Sequence, residues 1–474
     1  MHRRRFLAGA LAPAILRARR DRPNILLAIA DDWGWPHAPA YGDTVAPLPT
    51  FERVCSQGAV FTQAYCAAPS CTPSRAAILT GQAPHRLAEG GNLWSFLPAR
   101  FPVYPDLLEQ AGYFTGYERK GWGPGGLEGS GRTRNPAGPV FKNFETFLRE
   151  APADRPFCYW FGSQDPHRPY DTGSGAASGL DPARVRIPPF LPDAPAVRRD
   201  FLDYYFEVQR FDRETGHILE ILERAGRLDN TIVVMTGDNG VPFPRAKANV
   251  YGWGTHQPFA VRWPAGVRPG RTIDAFVTLA DLCPTFLDAA GLRASPAMHG
   301  RSLLPLLAGG RQPGRDRVFL ERERHAAVRA GNLSYPMRAV RTREFLYIRN
   351  LRPDRWPAGD PPGFGDIDDG PSKRYLLDHR DDPAVAPLFE LACALRPAEE
   401  LYDLQLDPGE LRNVAAAPRY ARARAAMRAS LDRWMKETAD PRATSEADPW
   451  DTYRYFGGRP VPAPASGPVA APRP

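Results

Sequence analysis

Cys71-Thr72-Pro73-Ser74-Arg75, followed by Ala76 to Gly81, places a thiol, hydroxyls and a guanidinium within a few residues of one another. Pro73 suits the first residue of a helix, where its missing N–H costs nothing. Ala76 to Leu79 are good helix formers, and Gly81 can close the last turn. The pattern predicts Cys71 over a helix N-terminus, where unpaired N–H groups and the helix dipole favour anions. Arg75, one turn on, would offer a fork of donors to the same place. This describes an anion pocket with a sulfur in it. A lone cysteine before a helix also reads as a small buried hydrophobe, so the chemistry depends on what the rest of the chain brings there.

Three apolar runs end in groups that could act at such a pocket. Asn24 to Ala30 reads as a fully buried parallel strand and ends in Asp31-Asp32. Adjacent acids at the C-terminal end of a strand lie where open α/β sheets bind ligands, and they repel unless a cation or donors intervene; a helix cap or solvated turn is the alternative. Thr231 to Met235 is a second run and leads to Asp238-Asn239-Gly240, ordinarily a turn but here a source of two hard oxygen ligands of the kind calcium takes. Pro156 to Gly162 leads to Asp165-Pro166-His167-Arg168-Pro169, where prolines hold a histidine rigidly, as a general acid requires. Tyr113 to Tyr117 reads as a strand feeding a Gly-rich loop that begins at Lys120. His85, in Ala83-Pro84-His85-Arg86, reads as a substrate contact or as a surface-loop histidine.

The elements that must position these groups alternate between strand and helix. Pro49 to Val54 predicts a short amphipathic helix, Ala59 to Tyr65 a strand delivering the chain to Cys71, and Val103 to Ala111 another helix. Pro182 to Ala194 reads as loop. Residues 198–225 predict a long helix whose Phe201, Tyr205, Val208, Phe211, Ile218 and Leu222 recur at helical spacing and form core. Pro258 to Trp263 predicts a strand and Asp274 to Ala290 a helix. From about Asp316 the texture changes to shorter strands (Val318 to Glu321, Met337 to Ile348) and an Ala/Arg-rich helix, Tyr420 to Thr438. The expected fold is α/β: a large mixed, mostly parallel sheet sandwiched by helices, with a smaller C-terminal α+β domain. The expected division is an export signal at 1–22, a catalytic domain at 23–315, a C-terminal α+β subdomain at 316–446 and a Pro/Ala-rich tail at 447–474.

Composition narrows the partners. The chain of 474 residues carries a formal charge of +8, but residues 1–22 hold seven arginines against one aspartate, so the remainder is close to neutral. No long basic run occurs elsewhere, which argues against a nucleic-acid partner and for a local basic pocket. Met1-His2-Arg3-Arg4-Arg5-Phe6-Leu7 and the apolar run to Leu16 have the layout of a signal peptide, too short to span a membrane. Arg3-Arg4-x-Phe6-Leu7 resembles the twin-arginine export motif, so a periplasmic or extracellular bacterial protein is expected. Cleavage at Ala12-Pro13-Ala14 or after Ala18 remains open. Six scattered cysteines are too few for a disulfide framework, although an exported protein could bridge one or two pairs, and without a Cys-x-x-Cys pair a zinc site of that kind is not expected.

Cys-x-Pro-Ser-Arg with Leu79-Thr80-Gly81 resembles the signature of the formylglycine-dependent sulfatases, and the other motifs follow in family order from Asn24 to about Thr438. The resemblance implies an alkaline phosphatase-like fold and oxidation of Cys71 to formylglycine by a maturation enzyme. It implies a divalent metal, usually Ca2+, on Asp31, Asp32, residue 71, Asp238 and Asn239. It also implies sulfate contacts from Arg75, Lys120 and Lys247, proton donation by His167, and substrate contacts from His85, Asp165 and Arg168. Asp238 is implied as the group that deprotonates the nucleophile. Where the family usually has histidine two residues after the lysine, this chain has Trp122. Ile187 to Asp193, Asp165 to Arg168 and Asp238 to Pro244 resemble the branch that hydrolyses N-sulfoglucosamine of heparin-type glycans. O-sulfated carbohydrates, phosphonate or phosphate esters, and non-catalytic binding of a sulfated glycan are the alternatives.

Overall fold

The computed structural model describes residues 22–458. The expected export leader, apart from Arg22, and residues 459–474 of the expected tail lie outside the described residues. Up to residue 278 the strands are β1 (Asn24–Ala30), β2 (Ala59–Phe61), β3 (Ala64–Tyr65), β4 (Phe114–Arg119), β5 (Phe157–Gly162), β6 (Thr231–Gly237), β7 (Phe259–Arg262), β8 (Arg271–Ile273) and β9 (Val277–Thr278). Seven of them form one sheet in the order β4-β5-β1-β6-β7-β2-β8, while β3 and β9 pair separately. β4, β5, β1 and β6 are parallel neighbours; β7 runs against both β6 and β2, and β8 runs parallel to β2. The sheet is therefore mixed and mostly parallel.

β1 is buried along its whole length because both faces are covered. Leu26, Ala28 and Ala30 face one core, shared with Val197, Phe201, Val208 and Phe211. Ile25, Leu27 and Ile29 face the other, shared with Ala76, Ile78 and Leu79. The second set belongs to helix α1 (Cys71–Thr80), all ten residues of which are buried; the first belongs to the thirty-residue helix α2 (Pro195–Arg224). Each fully buried Leu, Ile or Phe contributes about 1.5–3 kcal/mol relative to exposure. A helix buried on every side, like α1, can thus hold a functional group at its N-terminus without fraying.

Two expectations are corrected. Ala59 to Tyr65 is not one strand: after β2 the chain leaves the large sheet, and β3 pairs with β9 instead. Asp274 to Ala290 is not one helix. Val277 donates to the Gln63 carbonyl as strand, and a capping box between Thr278 and Asp281 then begins the helical turns that continue as Leu282–Ala289.

Strands β10 (Val318–Arg322), β11 (Met337–Arg341), β12 (Phe345–Asn350) and β13 (Glu399–Asp403) form an antiparallel sheet in that order. One face packs Val340, Tyr347 and Leu401 on Met427, Leu431 and Met435 of the C-terminal helix, Ala421–Glu437. The other packs Leu320, Met337, Ala339 and Ile348 against Tyr65, Val250, Tyr251 and Phe276, which joins the two sheets through one apolar cluster. All six cysteines are free. Among the described residues no helix is long and apolar enough to cross a membrane.

Candidate active site

The four parallel strands deliver their carboxyl ends side by side. β1 ends at Asp31-Asp32, β6 at Asp238-Asn239, β4 at Lys120 and β5 at the loop carrying Asp165 and His167, the edge where such sheets bind ligands. α1 begins at the same edge with Cys71, after Ser70 in extended conformation, and Gly81 closes it in the left-handed region with φ 67°. One ligand atom each from Asp31, Asp32, Cys71 and Asp238 lies within 4.8 Å of all the others, and all four residues are buried. Asp32 itself has φ 74°, a conformation that a non-glycine residue adopts only when its surroundings impose it.

Cations surround this cluster. Arg75 Nε donates to Asp238 Oδ2 at 2.7 Å, its Nη2 lies 3.6 Å from Asp31 Oδ1, and Nη1 donates to the carbonyls of Lys120 and Gly121. Lys120 pairs with Asp31, and Lys247 pairs with Asp32 at 2.7 Å. Burial alone would raise the Asp31 carboxyl, but Lys120, His167 and Arg75 together hold it far below the usual carboxylate range. Burial raises its neighbour Asp32, with Lys247 opposing. The Cys71 thiol donates to Asp31 Oδ1 at 3.3 Å, and burial, reinforced by Asp31, pushes it well above its ordinary value. A buried thiol facing a carboxylate stays protonated, so residue 71 as cysteine is a poor nucleophile.

A divalent cation fits this donor set. Asn239 Nδ2 donates to Asp32 Oδ1 at 2.7 Å, while its buried Oδ1 has no partner. An orphaned buried carbonyl beside three convergent carboxylates is the arrangement expected of a hard-cation site. Asp238 accepts from both Arg75 Nε and the Asp32 backbone N–H, so the carboxylate expected to take a proton is held at both oxygens.

The cluster opens onto a cleft of about 690 Å³ whose wall includes Asp31, Lys120, Trp122, Asp165 and His167. His167 Nε2 lies 3.9 Å from Asp32 Oδ2, and Nδ1 is 2.6 Å from the Arg168 carbonyl. A carbonyl only accepts, so Nδ1 carries the hydrogen and Nε2 is the nitrogen left for exchange. Trp122, at the position where the resemblance led to an expected histidine, is a buried indole held through its backbone by Asn135.

The three substrate-contact residues fare differently. Asp165 lies in the cleft wall, with both oxygens taken by Arg210. Arg168 also reaches the wall, but its guanidinium is committed to Asp200 at 2.7 and 2.8 Å and to the Pro242 carbonyl. His85 is corrected: it is neither a surface-loop residue nor in the cleft wall, but a buried histidine bonded to Glu321 and packed edge-on against Trp434. Asp368 was missed. Its Oδ2 accepts from Lys247 Nζ at 2.9 Å, and it forms a second close group with Asp32 and His167. Asp-Ile-Asp-Asp in a Pro/Gly-rich stretch looks like a solvated turn, so no local signal marks it.

Anion chemistry at the carboxyl edge of a parallel sheet is the class that this fold and site define. The sulfatase profile matches residues 23–126 and 133–292, and the profile described as N-sulphoglucosamine sulphohydrolase, C-terminal, matches 246–360. The chain belongs to the sulfatase family of hydrolases. It is 32% identical over 479 residues to human N-sulphoglucosamine sulphohydrolase, covering 90% of this chain and 93% of that one. It is 28% identical to an ulvan-active sulfatase of Formosa agariphila, covering 90% and 77%. A solved structure described as in complex with its substrate D-glucosamine-2-N,6-O-disulfate superposes with TM-score 0.65 at 19% identity, covering 88% of this chain and 98% of the other. The phosphonate monoester hydrolase of Agrobacterium radiobacter superposes with TM-score 0.61, also at 19%. The structural likenesses establish the shared alkaline phosphatase-like fold.

Proposed function

We propose that the protein is an exported hydrolase that removes sulfate from a sulfated sugar, N-sulfoglucosamine of heparin-type glycans above the alternatives. The observation that carries the site assignment is the convergence of Asp31, Asp32, Cys71 and Asp238 under three buried or nearly buried cations. The match of 246–360 to the C-terminal N-sulphoglucosamine sulphohydrolase profile supports the choice of substrate. Arg3-Arg4-x-Phe6-Leu7 supports export. The distribution of the two sheets supports a division into 23–315 and 316–446.

Asp31, Asp32, Asp238 and Asn239 would hold a divalent cation, with Ca2+ the ion their oxygens suit best, and it would offset the negative charge gathered around sulfur. Residue 71, once oxidised to formylglycine, would supply hydroxyl groups for attack, which the protonated thiol does not. Lys120, Lys247 and Arg75 neutralise and orient the sulfonate oxygens. His167, doubly protonated, gives the Nε2 hydrogen to the leaving group, and the Arg168 carbonyl fixes the ring for that transfer. An amine leaving group makes the proton indispensable, because an amide anion is not expelled near neutral pH.

The test is mass analysis of the Cys71 tryptic peptide from a maturation-competent host, with turnover of N-sulfated and 6-O-sulfated glucosamine and an aryl phosphonate. The expected result is an aldehyde at residue 71 and preference for the N-sulfate. A purely thiol peptide with no turnover would leave a glycan-binding protein, and preference for the phosphonate would favour the other branch of the fold.

A further inference from the structure

The segment between β12 and β13 returns from the antiparallel sheet to the carboxyl edge of the large sheet, beside Asp32 and Lys247. Asp366 anchors it there: Arg322 and Arg329 both pair with its Oδ2, and the Ala326 N–H donates to its Oδ1 at 3.1 Å. The Lys373 ammonium donates to the carbonyls of Phe364 and Ile367, at 3.0 and 2.8 Å, which fixes the backbone on either side. Two residues beyond this clamp stands Asp368, with its side chain 25% exposed. Oδ2 takes Lys247 Nζ; Oδ1 makes no hydrogen bond among the described residues. Ligand atoms of Asp368, Asp32 and His167 lie within 4.8 Å of one another. A rigidly presented carboxylate thus stands between the lysine assigned to sulfate and the histidine assigned to the leaving atom.

A carboxylate is an odd choice for a pocket that binds an anion. It raises the cost of binding unless it faces a donor on the substrate. A sulfamate, R–NH–SO3⁻, carries a hydrogen on the atom that leaves, whereas a sulfate ester, R–O–SO3⁻, presents only lone pairs there. We propose that Asp368 is a specificity-determining residue that reads the leaving atom, accepting the sulfamate N–H through Oδ1 and repelling the bare ester oxygen. This rests on the N-sulfate reading above and deepens it. When the S–N bond breaks, its electron pair stays on nitrogen, His167 supplies a proton, and the released amine takes another from solvent to become an ammonium. Asp368 then faces a cation and not the neutral alcohol that an ester would release. Sites built to hydrogen-bond a substrate donor reject the analogue that lacks it far more strongly than apolar pockets reject a change of size.

The experiment compares the matured wild-type enzyme with Asp368→Asn and Asp368→Ala on N-sulfoglucosamine and glucose 2-O-sulfate, which differ only at the leaving atom. kcat/KM and inhibition constants are both measured, so that a compound that is not turned over still reports binding. The expected result is a loss of about 10- to 100-fold on the N-sulfate, with the 2-O-sulfate unchanged or improved. Inhibition by inorganic sulfate stays constant or strengthens, because Lys247 keeps its Asp32 partner and a charge that repels the anion is removed. An equal loss on both sugars with weaker sulfate inhibition would overturn the proposal and leave Asp368 only positioning Lys247. No change on the N-sulfate would overturn it as well. A wild-type enzyme that hydrolyses glucosamine 6-O-sulfate and not the N-sulfate would instead refute the N-sulfate reading before any variant is made.

Discussion

Two regions of the molecule bury clusters of opposite charge. Arg338 donates to Asp440 at 2.6 Å and to Glu323 at 2.7 Å, Arg442 also holds Glu323, and His85 pairs with Glu321. Burial would lower the His85 imidazole, but Glu321 and Asp440 outweigh it and raise it above its ordinary range. There each carboxylate is interleaved with a cation, and the network ties β10 and β11 to the segment after the C-terminal helix. At the strand edge the carboxylates face one another and the cations stand around the outside. Within the described residues, the close groups of metal-ligating side chains occur only at this edge. Burial of charge alone therefore does not mark a site. Convergence of like charge on one point does, because repulsion of that kind persists only where something else is bound.

The strongest way to break this contrast is Asp238→Asn. It removes one of the convergent carboxylates and Arg75's partner, and activity should fall by at least about 10³-fold, with loss of bound metal by elemental analysis. The loss of stability should be the smaller effect, since an amide can still hydrogen-bond Arg75 and the guanidinium keeps Asp31 at 3.6 Å. Retained metal and turnover would place the site elsewhere. Arg338→Ala should do the reverse: about 3–5 kcal/mol of stability is lost, because buried carboxylates are left unpaired, and the fraction that stays folded keeps its KM. Chemical denaturation together with kinetics on the folded fraction reads both. The smallest effect concerns the cleft wall. Burial, together with hydrogen bonding to Asp165, pushes Glu207 up from 4.5 to about 8. The native state thus keeps a proton that the unfolded chain releases. This contribution to stability is complete below about pH 4.5 and is lost as pH rises to about 8. Glu207→Gln should flatten the decline in Tm across that window, and an unchanged slope would show that the carboxyl titrates normally.

Much of the site was legible because its parts sit at the ends of strong local signals. The apolar runs before Asp31, Asp165 and Asp238 have no reading but buried strand, and all three end on the same sheet edge. α1 was legible from its composition and its closing glycine, although it begins at Cys71, two residues before the Pro73 that the sequence marks as its start. The elements misread were those whose state depends on distant partners. Ala59 to Tyr65 has uniform strand character, and only the separate pairing of β3 with β9 divides it. His85 follows a proline in a short loop, and nothing nearby announces Glu321, 236 residues away.

The sequence by itself determined the strands, the nucleophile's helix and the identity of the groups at the sheet's edge, because burial pattern and residue chemistry are local properties. Tertiary structure alone decided which charges face each other and which are neutralised. It made His85 and Arg168 parts of ion-paired scaffolding, and it brought Asp368 across from another sheet to stand beside Lys247 and His167. The physical reason is that electrostatic consequence depends on separation in space and on exclusion of water, and neither is written in the spacing along the chain.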